Sequence, residues 1–311
     1  MICSSSLNSR RPPTVLAIHD LSGFGRGSLT TAITILGTMG IQACPLPTSL
    51  LSAHTEFDGF TFLDLTGEME KIIAHWQTFG LKFDAIYSGF LGSPAQAALV
   101  RKAIELFSHS GTICVIDPVL GDNGDLYPTM DAVMVQEMRM LIRDADIITP
   151  NLTEAALLLD EPCRETIDKA TIIAWLKRLS EMGPHAVVIT SAIMSEESES
   201  NAASLVIAHS RPPQTRRSEF WQVKCDYIPA HYPGTGDIFA SVLTGSLLWK
   251  EELPVAIARA MRFIATGIEQ SELAGEPRKN GIVLEQVLGG LNGPLSRTQS
   301  QQLFPDYENL K

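Results

Sequence analysis

An alternation of two periods constrains this chain more than any single motif. Short apolar runs that suit buried strands are followed by stretches whose apolar positions recur at helical spacing. Val15-Leu16-Ala17-Ile18 runs into a Gly-rich turn, and residues 28–39 then carry a helical pattern. The same reading predicts strands near 84–88, 112–117, 146–149 and 186–190, with helices over 94–108, 130–143, 153–159 and 168–182. Units of this kind cross over right-handedly and pair in parallel, which buries the sheet on both faces. Between about 203 and 228 the pattern changes. Two strand-like runs, 203–209 and 219–228, flank a Pro/Arg/Ser turn and predict an antiparallel hairpin at the sheet edge, before helices resume over 237–248 and 253–272. The expected class is α/β: a mostly parallel central sheet with helices on both faces.

No linker rich in Gly, Ser or charge divides the 311 residues, and 45% of them are hydrophobic, enough for one sizeable core. We expect a flexible extension over 1–13, one domain over 14–291 and a polar, loosely held tail over 292–311. The net charge of −11 and the lack of a basic stripe argue against a nucleic-acid partner. A nucleotide ligand stays open, because backbone amides and a metal neutralise phosphate locally. The five cysteines are scattered without Cys-x-x-Cys, which argues against a disulfide framework and a structural zinc site. No apolar run reaches the ~18 residues of a membrane span, and the Ser/Arg/Pro-rich start has no secretory core, so the cytoplasm is the default compartment.

Four constellations carry chemistry. In Pro233-Gly234-Thr235-Gly236-Asp237, two glycines precede an apolar helical pattern. Such a helix start offers unpaired amides to a migrating phosphoryl group, and Asp237 on the same turn suits a base for an attacking alcohol. A plain helix cap is the alternative. Asp117-Pro118-Val119-Leu120-Gly121-Asp122 follows a strand and places two carboxylates where open parallel sheets bind ligands. They suit hydrated magnesium, or are a solvated turn. Asn151 and Glu154, three apart after the strand at 147–148, face one ligand or form a capping box. The turn from His19 to Gly27 fails the dinucleotide spacing, no P-loop occurs, and what remains is a close-approach loop for a small polar molecule. His54 has no second histidine at ligand spacing and reads as a loop residue.

In this order the motifs resemble the ribokinase-like superfamily and, within it, the vitamin B6 (pyridoxal) kinases, from about Val15 to Glu272. The resemblance implies a three-layer sandwich without a separate lid domain, a homodimer, and a kinase acting with ATP and Mg2+, with K+ as a further candidate. The substrate it implies is a B6 vitamer, phosphorylated on its hydroxymethyl group. Asp237 matches the catalytic base, and Gly234, Thr235 and Gly236 match the anion hole. Asp117, Asp122 and Glu154 match a metal site built mostly through water. Asp117, Asn151, Thr190, Ser191, Val223, Thr235 and Gly236 match the ATP side. Asp20, Ser22, Thr48, His54, Phe90 and Tyr127 match the substrate side. Asp20 stands where the B6 kinases have a serine that meets the ring, and Phe90 replaces a tyrosine in Ser88-Gly89-Phe90-Leu91-Gly92-Ser93. Asp at this place is similar to the hydroxymethylpyrimidine kinases of thiamine synthesis, which are the second reading. A non-catalytic vitamer-binding protein on the same fold is the reading from another class. A nicotinamide oxidoreductase is disfavoured by the missing fingerprint.

Overall fold

The structure, a computed structural model, describes residues 11–192, 203–211, 218–226, 228, 230–293 and 307–309. Ten strands form one sheet in the order β12-β11-β10-β9-β8-β5-β4-β1-β2-β3. The parallel centre is β1 (Thr14–Ser22), β2 (Gln42–Leu51), β4 (Ala85–Ser88), β5 (Ile113–Ile116), β8 (Ile147–Ile148) and β9 (Ala186–Ala192). At one edge β3 (Phe62–Asp64) runs antiparallel to β2. At the other, the hairpin of β10 (Ala203–Ser210) and β11 (Glu219–Asp226) runs antiparallel to β9, as expected. That hairpin is not the edge, however. β12 (Tyr307–Asn309) pairs with Trp221 to Val223, so part of the tail expected to be loosely held adds an outermost strand. Among the described residues the other ladder is the two-residue pairing of β6 (Gly121–Asp122) and β7 (Asp125–Leu126), and there is no lid domain.

The strands alternate their apolar side chains between two cores, because successive residues of a strand face opposite sides. Leu16, Ile18, Ile86, Ile116, Ile148 and Ile189 face one core. It is covered by α2 (Thr66–Thr78), α3 (Pro94–Phe107), α4 (Ala132–Leu141), α5 (Leu152–Leu159) and α6 (Lys169–Glu181). Val15, Tyr87, Val115, Ile147 and Val188 face the other, covered by α1 (Ser28–Thr38), α7 (Thr235–Leu248) and α8 (Leu253–Ala274). This is the three-layer sandwich.

Besides the short strands β3, β6, β7 and β12, two longer elements escape the sequence reading, β2 and α2. Pro45 and Pro47 within Gln42–Leu51 argue against a strand. They are tolerated because β3 pairs only with Ser49 to Leu51, leaving the prolines where β2 has no outer neighbour. The extension expected to be flexible over 1–13 lies outside the described residues up to residue 10. Its last three are tied down, with Arg11 paired to Asp84 at 3.0 Å and the Pro13 carbonyl accepting from the Gln42 amide at 2.9 Å. Among the described residues no helix is long and apolar enough to cross a membrane.

Candidate active site

The C-terminal ends of β1, β4, β5, β8 and β9 open into one cleft of about 540 Å³. Most of the residues singled out from sequence line it: Asp20, His54, Phe90, Asp117, Asp122, Tyr127, Asn151, Glu154, Thr190, Ser191 and Gly234 to Asp237.

Helix α7 begins at Thr235 rather than at Asp237, with Gly234 as its N-cap at φ 79°. A Cβ on Gly234 would lie 2.4 Å from the Arg26 carbonyl, so only glycine lets the two loops meet this closely. Asp237 therefore sits in the first turn, and it does not cap its own helix. Its Oδ2 accepts from the Ser28 amide at 2.6 Å, the first amide of α1. Ser28 has φ 49°, an uncommon value for a residue with a side chain, at the point where its N–H meets the carboxylate. Gly27, the N-cap of α1, contributes no side chain. Two helix starts thus converge on one carboxylate, and both direct unpaired amides and partial positive charge into the same space. The plain-cap alternative for Asp237 does not describe this geometry.

Burial pushes the Asp237 carboxyl up to about 8; the Ser28 amide opposes the shift, and the charges of Asp20 and Asp117 add to it. Asp117, at the end of β5, is pushed up to about 7 by burial, against the hydroxyl of Thr149, which donates to its Oδ1 at 2.9 Å. Burial also raises Glu154 well above the carboxylate range, with Asp117 adding repulsion. These raised values mark, first of all, acids that burial deprives of water, with repulsion between neighbouring carboxylates adding at Asp237 and Glu154.

Asn151 and Glu154 do form a capping box: the Glu154 amide donates to Asn151 Oδ1 and the Asn151 amide to Glu154 Oε2, both at 2.8 Å. They also reach across to the 117–122 loop. Glu154 Oε1 accepts from the Leu120 amide at 3.1 Å, and Asn151 Nδ2 donates to the Gly121 carbonyl at 2.8 Å. Both Glu154 oxygens are thus engaged by backbone, which makes it a brace for the loop that carries Asp117 and Asp122. Among the described residues no three His, Cys, Asp or Glu side chains converge closely enough to ligate a metal directly. The hard carboxylate oxygens of Asp117 and Asp122 still suit magnesium that keeps water and phosphate oxygens in its shell.

On the opposite side of Asp237, the β1–β2 register shifts between His19–Pro47 and Leu21–Leu50, a bulge beside the cleft. Asp20 is buried there and accepts from the Ser22 hydroxyl at 2.8 Å. Burial raises its carboxyl, while Ser28, Ser22 and His54 oppose the shift. The His54 Nε2 meets the Lys279 carbonyl at 2.7 Å, which fixes it as the donor nitrogen. At the mouth, His231 Nε2 lies 3.2 Å from Glu56 Oε1 and ties the two lips.

Three expected contacts fall elsewhere. Thr48 is wholly buried, and its hydroxyl donates to the Phe90 carbonyl at 3.0 Å, so it shapes the pocket from behind. Ser22 is buried against Asp20. Val223 packs into the core beneath β11, and the cleft is instead lined by Val206, Cys225, Ile228, Met261, Ile264 and Ile268. These residues come from the hairpin, from Ile228 just after it and from α8, whose neighbourhood no local motif announces. His19, also unread, lies against Asp237.

A family described as phosphomethylpyrimidine kinase matches residues 23–281. A protein of Bacteroides thetaiotaomicron described as a phosphomethylpyrimidine kinase, solved with pyridoxal, is 47% identical. The alignment covers 96% of this chain and 100% of that one, with a TM-score of 0.86. Pyridoxal kinase from Lactobacillus plantarum is 31% identical over 90% of this chain and 96% of its own, with a TM-score of 0.79. Among curated proteins, a pyridoxal kinase of Corynebacterium diphtheriae is 25% identical over 260 residues, 82% of this chain and 88% of its own.

Proposed function

The chain belongs to the phosphomethylpyrimidine kinase family, and on that premise we propose that it is a kinase that uses ATP to phosphorylate the hydroxymethyl group of pyridoxal, pyridoxine or pyridoxamine. One observation carries the reading: a carboxylate with only 15% of its side chain exposed, Asp237, stands where the starts of α1 and α7 converge on the cleft. The acceptor alcohol loses its proton only as the new P–O bond forms, and Asp237 is the group placed to take it. The amides of residues 234 to 237 stabilise the phosphoryl group in flight, which is catalysis by positioning and electrostatics. The apolar end of the cleft, with Val206, Ile228 and Met261, suits a nucleobase. Magnesium, when bound, supplies charge neutralisation to the ATP phosphates. Asp117 and Asp122 would hold it, and Glu154 keeps their loop in place. The identity to a protein solved with pyridoxal supports the vitamer class.

Replacing Asp237 by Asn is expected to lower kcat with pyridoxal by about 10²- to 10⁴-fold while ATP still binds. Near-normal turnover in that variant would sink the assignment. Tight vitamer binding without turnover in the wild type would point to a binding protein instead.

Asp20 favours a second reading, the same chemistry on 4-amino-5-hydroxymethyl-2-methylpyrimidine. A buried carboxylate accepts from an amine or a protonated ring nitrogen, and both substrate classes offer one. Turnover on the two substrates side by side separates the readings. Asp20→Ser is expected to shift their ratio severalfold, and an unchanged ratio would show that Asp20 does not read the ring. A homodimer belongs to the same reading, supported by the exposed Phe62 and Leu63 on edge strand β3. A monomer in sedimentation would remove it.

A further inference from the structure

His19 has no role in the scheme above, yet it lies against its central residue. The ring is fully buried within β1, and among the described residues neither nitrogen has a hydrogen-bond partner. Buried polar groups of this kind call for an explanation. His209 is similarly unpartnered but faces the Phe220 ring, whereas His19 faces a carboxylate: its Nδ1 lies 3.9 Å from Asp237 Oδ1. The ring has little freedom to turn away. It meets the Tyr87 ring edge-on at 4.2 Å, and on its other side is Gly89, where a Cβ would fall 2.4 Å from Nδ1. Tyr87 is fixed in turn, its hydroxyl donating to the Asp237 backbone carbonyl at 3.4 Å. His19 of β1, Tyr87 of β4 and Gly89 just after it therefore form a platform beside Asp237.

We propose that His19 is a positioning residue for Asp237, its Nδ1–H donating to Oδ1 when the cleft closes on its substrates. With the Ser28 amide on Oδ2, this makes a two-point clamp that turns the carboxylate toward the acceptor alcohol. The shortening required is about 1 Å, and catalytic hydrogen bonds that are long in a ligand-free enzyme tighten in the substrate complex. Burial pushes the imidazole down to about 3, so it serves as a neutral donor and does not take up the alcohol proton. Asp20 and Asp117 also act on Asp237 through their charges, but neither offers a donor while ionised. The inference rests on Asp237 being the base in the kinase reading.

The test uses three variants of the full chain. His19→Asn keeps a donor where Nδ1 stands, His19→Leu removes it, and Asp237→Ala removes its acceptor. His19→Leu is expected to lower kcat about 10- to 100-fold, with KM for pyridoxal and for ATP changed by less than about twofold. His19→Asn is expected to stay within about threefold of wild type. Independently of turnover, ¹⁵N NMR of histidine-labelled protein saturated with pyridoxal and a non-hydrolysable ATP analogue reads which nitrogen carries the proton. The expected result is Nδ1–H in the wild type and loss of that preference in Asp237→Ala. A His19→Asn variant as slow as His19→Leu, or a His19 proton on Nε2 in the saturated wild type, would overturn the clamp. If His19→Leu fails to fold, His19→Asn and the NMR reading decide. A wild type that phosphorylates no vitamer yet holds the Nδ1–H tautomer against Asp237 would remove the kinase reading and leave the clamp standing.

Discussion

At the scale of single residues, Asp237 was legible because its signal is local. Two glycines, a threonine and an acid at fixed spacing mark a helix start that approaches another backbone. Gly234 at φ 79° shows what that spacing is for. Thr48, Ser22 and Val223 stand outside the cleft lining for a different reason. Each lies on a strand that borders the cleft, and whether a strand residue lines a pocket or backs it depends on register. The bulge opposite Asp20 alters that register locally, and no residue type in β1 or β2 announces it. Asp237 also carries a pH consequence. Burial raises its carboxyl to about 8, and only the ionised form accepts a proton from the alcohol. Turnover at low substrate is therefore expected to climb with pH along an acid limb, and to lose that limb in Asp237→Asn. A pH profile of kcat/KM for pyridoxal measures it.

Among the elements, α5 shows how a structural motif and a functional one coincide. Asn151 and Glu154 read both as a capping box and as ligand-facing residues; the structure shows the box, with the same side chains turned to the backbone of a neighbouring loop. The box orders the start of α5, while the same side chains hold the 117–122 loop by Leu120 and Gly121. Glu154→Ala is expected to cost about 1–3 kcal/mol, read by urea unfolding. It should also raise KM for ATP more than KM for the vitamer, because the braced loop lies on the phosphate side. Equal effects on both constants would argue for a general loosening instead. Most helices and the central strands were legible from periodicity. β2 was not, since Pro45 and Pro47 suppress its signal, and α2 was missed with it.

The layers of the whole molecule follow from the two-residue alternation in each central strand, which sends Val15, Tyr87 and Val115 to one core and Leu16, Ile86 and Ile116 to the other. What no stretch of sequence contains is the charge that assembly brings together. Asp20, Asp117 and Asp237 come from β1, from the loop after β5 and from α7, and burial raises all three above their ordinary value near 3.8. The folded state therefore holds protons that the unfolded chain has already released between about pH 4 and 8. Stability that these groups give below pH 4 is lost as pH rises through their folded values. The ligand-free protein is expected to melt at a lower temperature at pH 8.5 than at pH 6, and Asp237→Asn should melt higher than wild type at the upper value. A flat dependence across that range would show that the cluster is better compensated than its geometry indicates. Functional carboxylates kept at the expense of stability are a common arrangement. The two helix starts that meet at Asp237 have one more consequence. In the proposed kinase, amides that receive a phosphoryl group in flight would also receive the finished phosphate ester, so inhibition by its own product is expected. The exposed tie between His231 and Glu56 at its mouth then bears on how soon that product escapes.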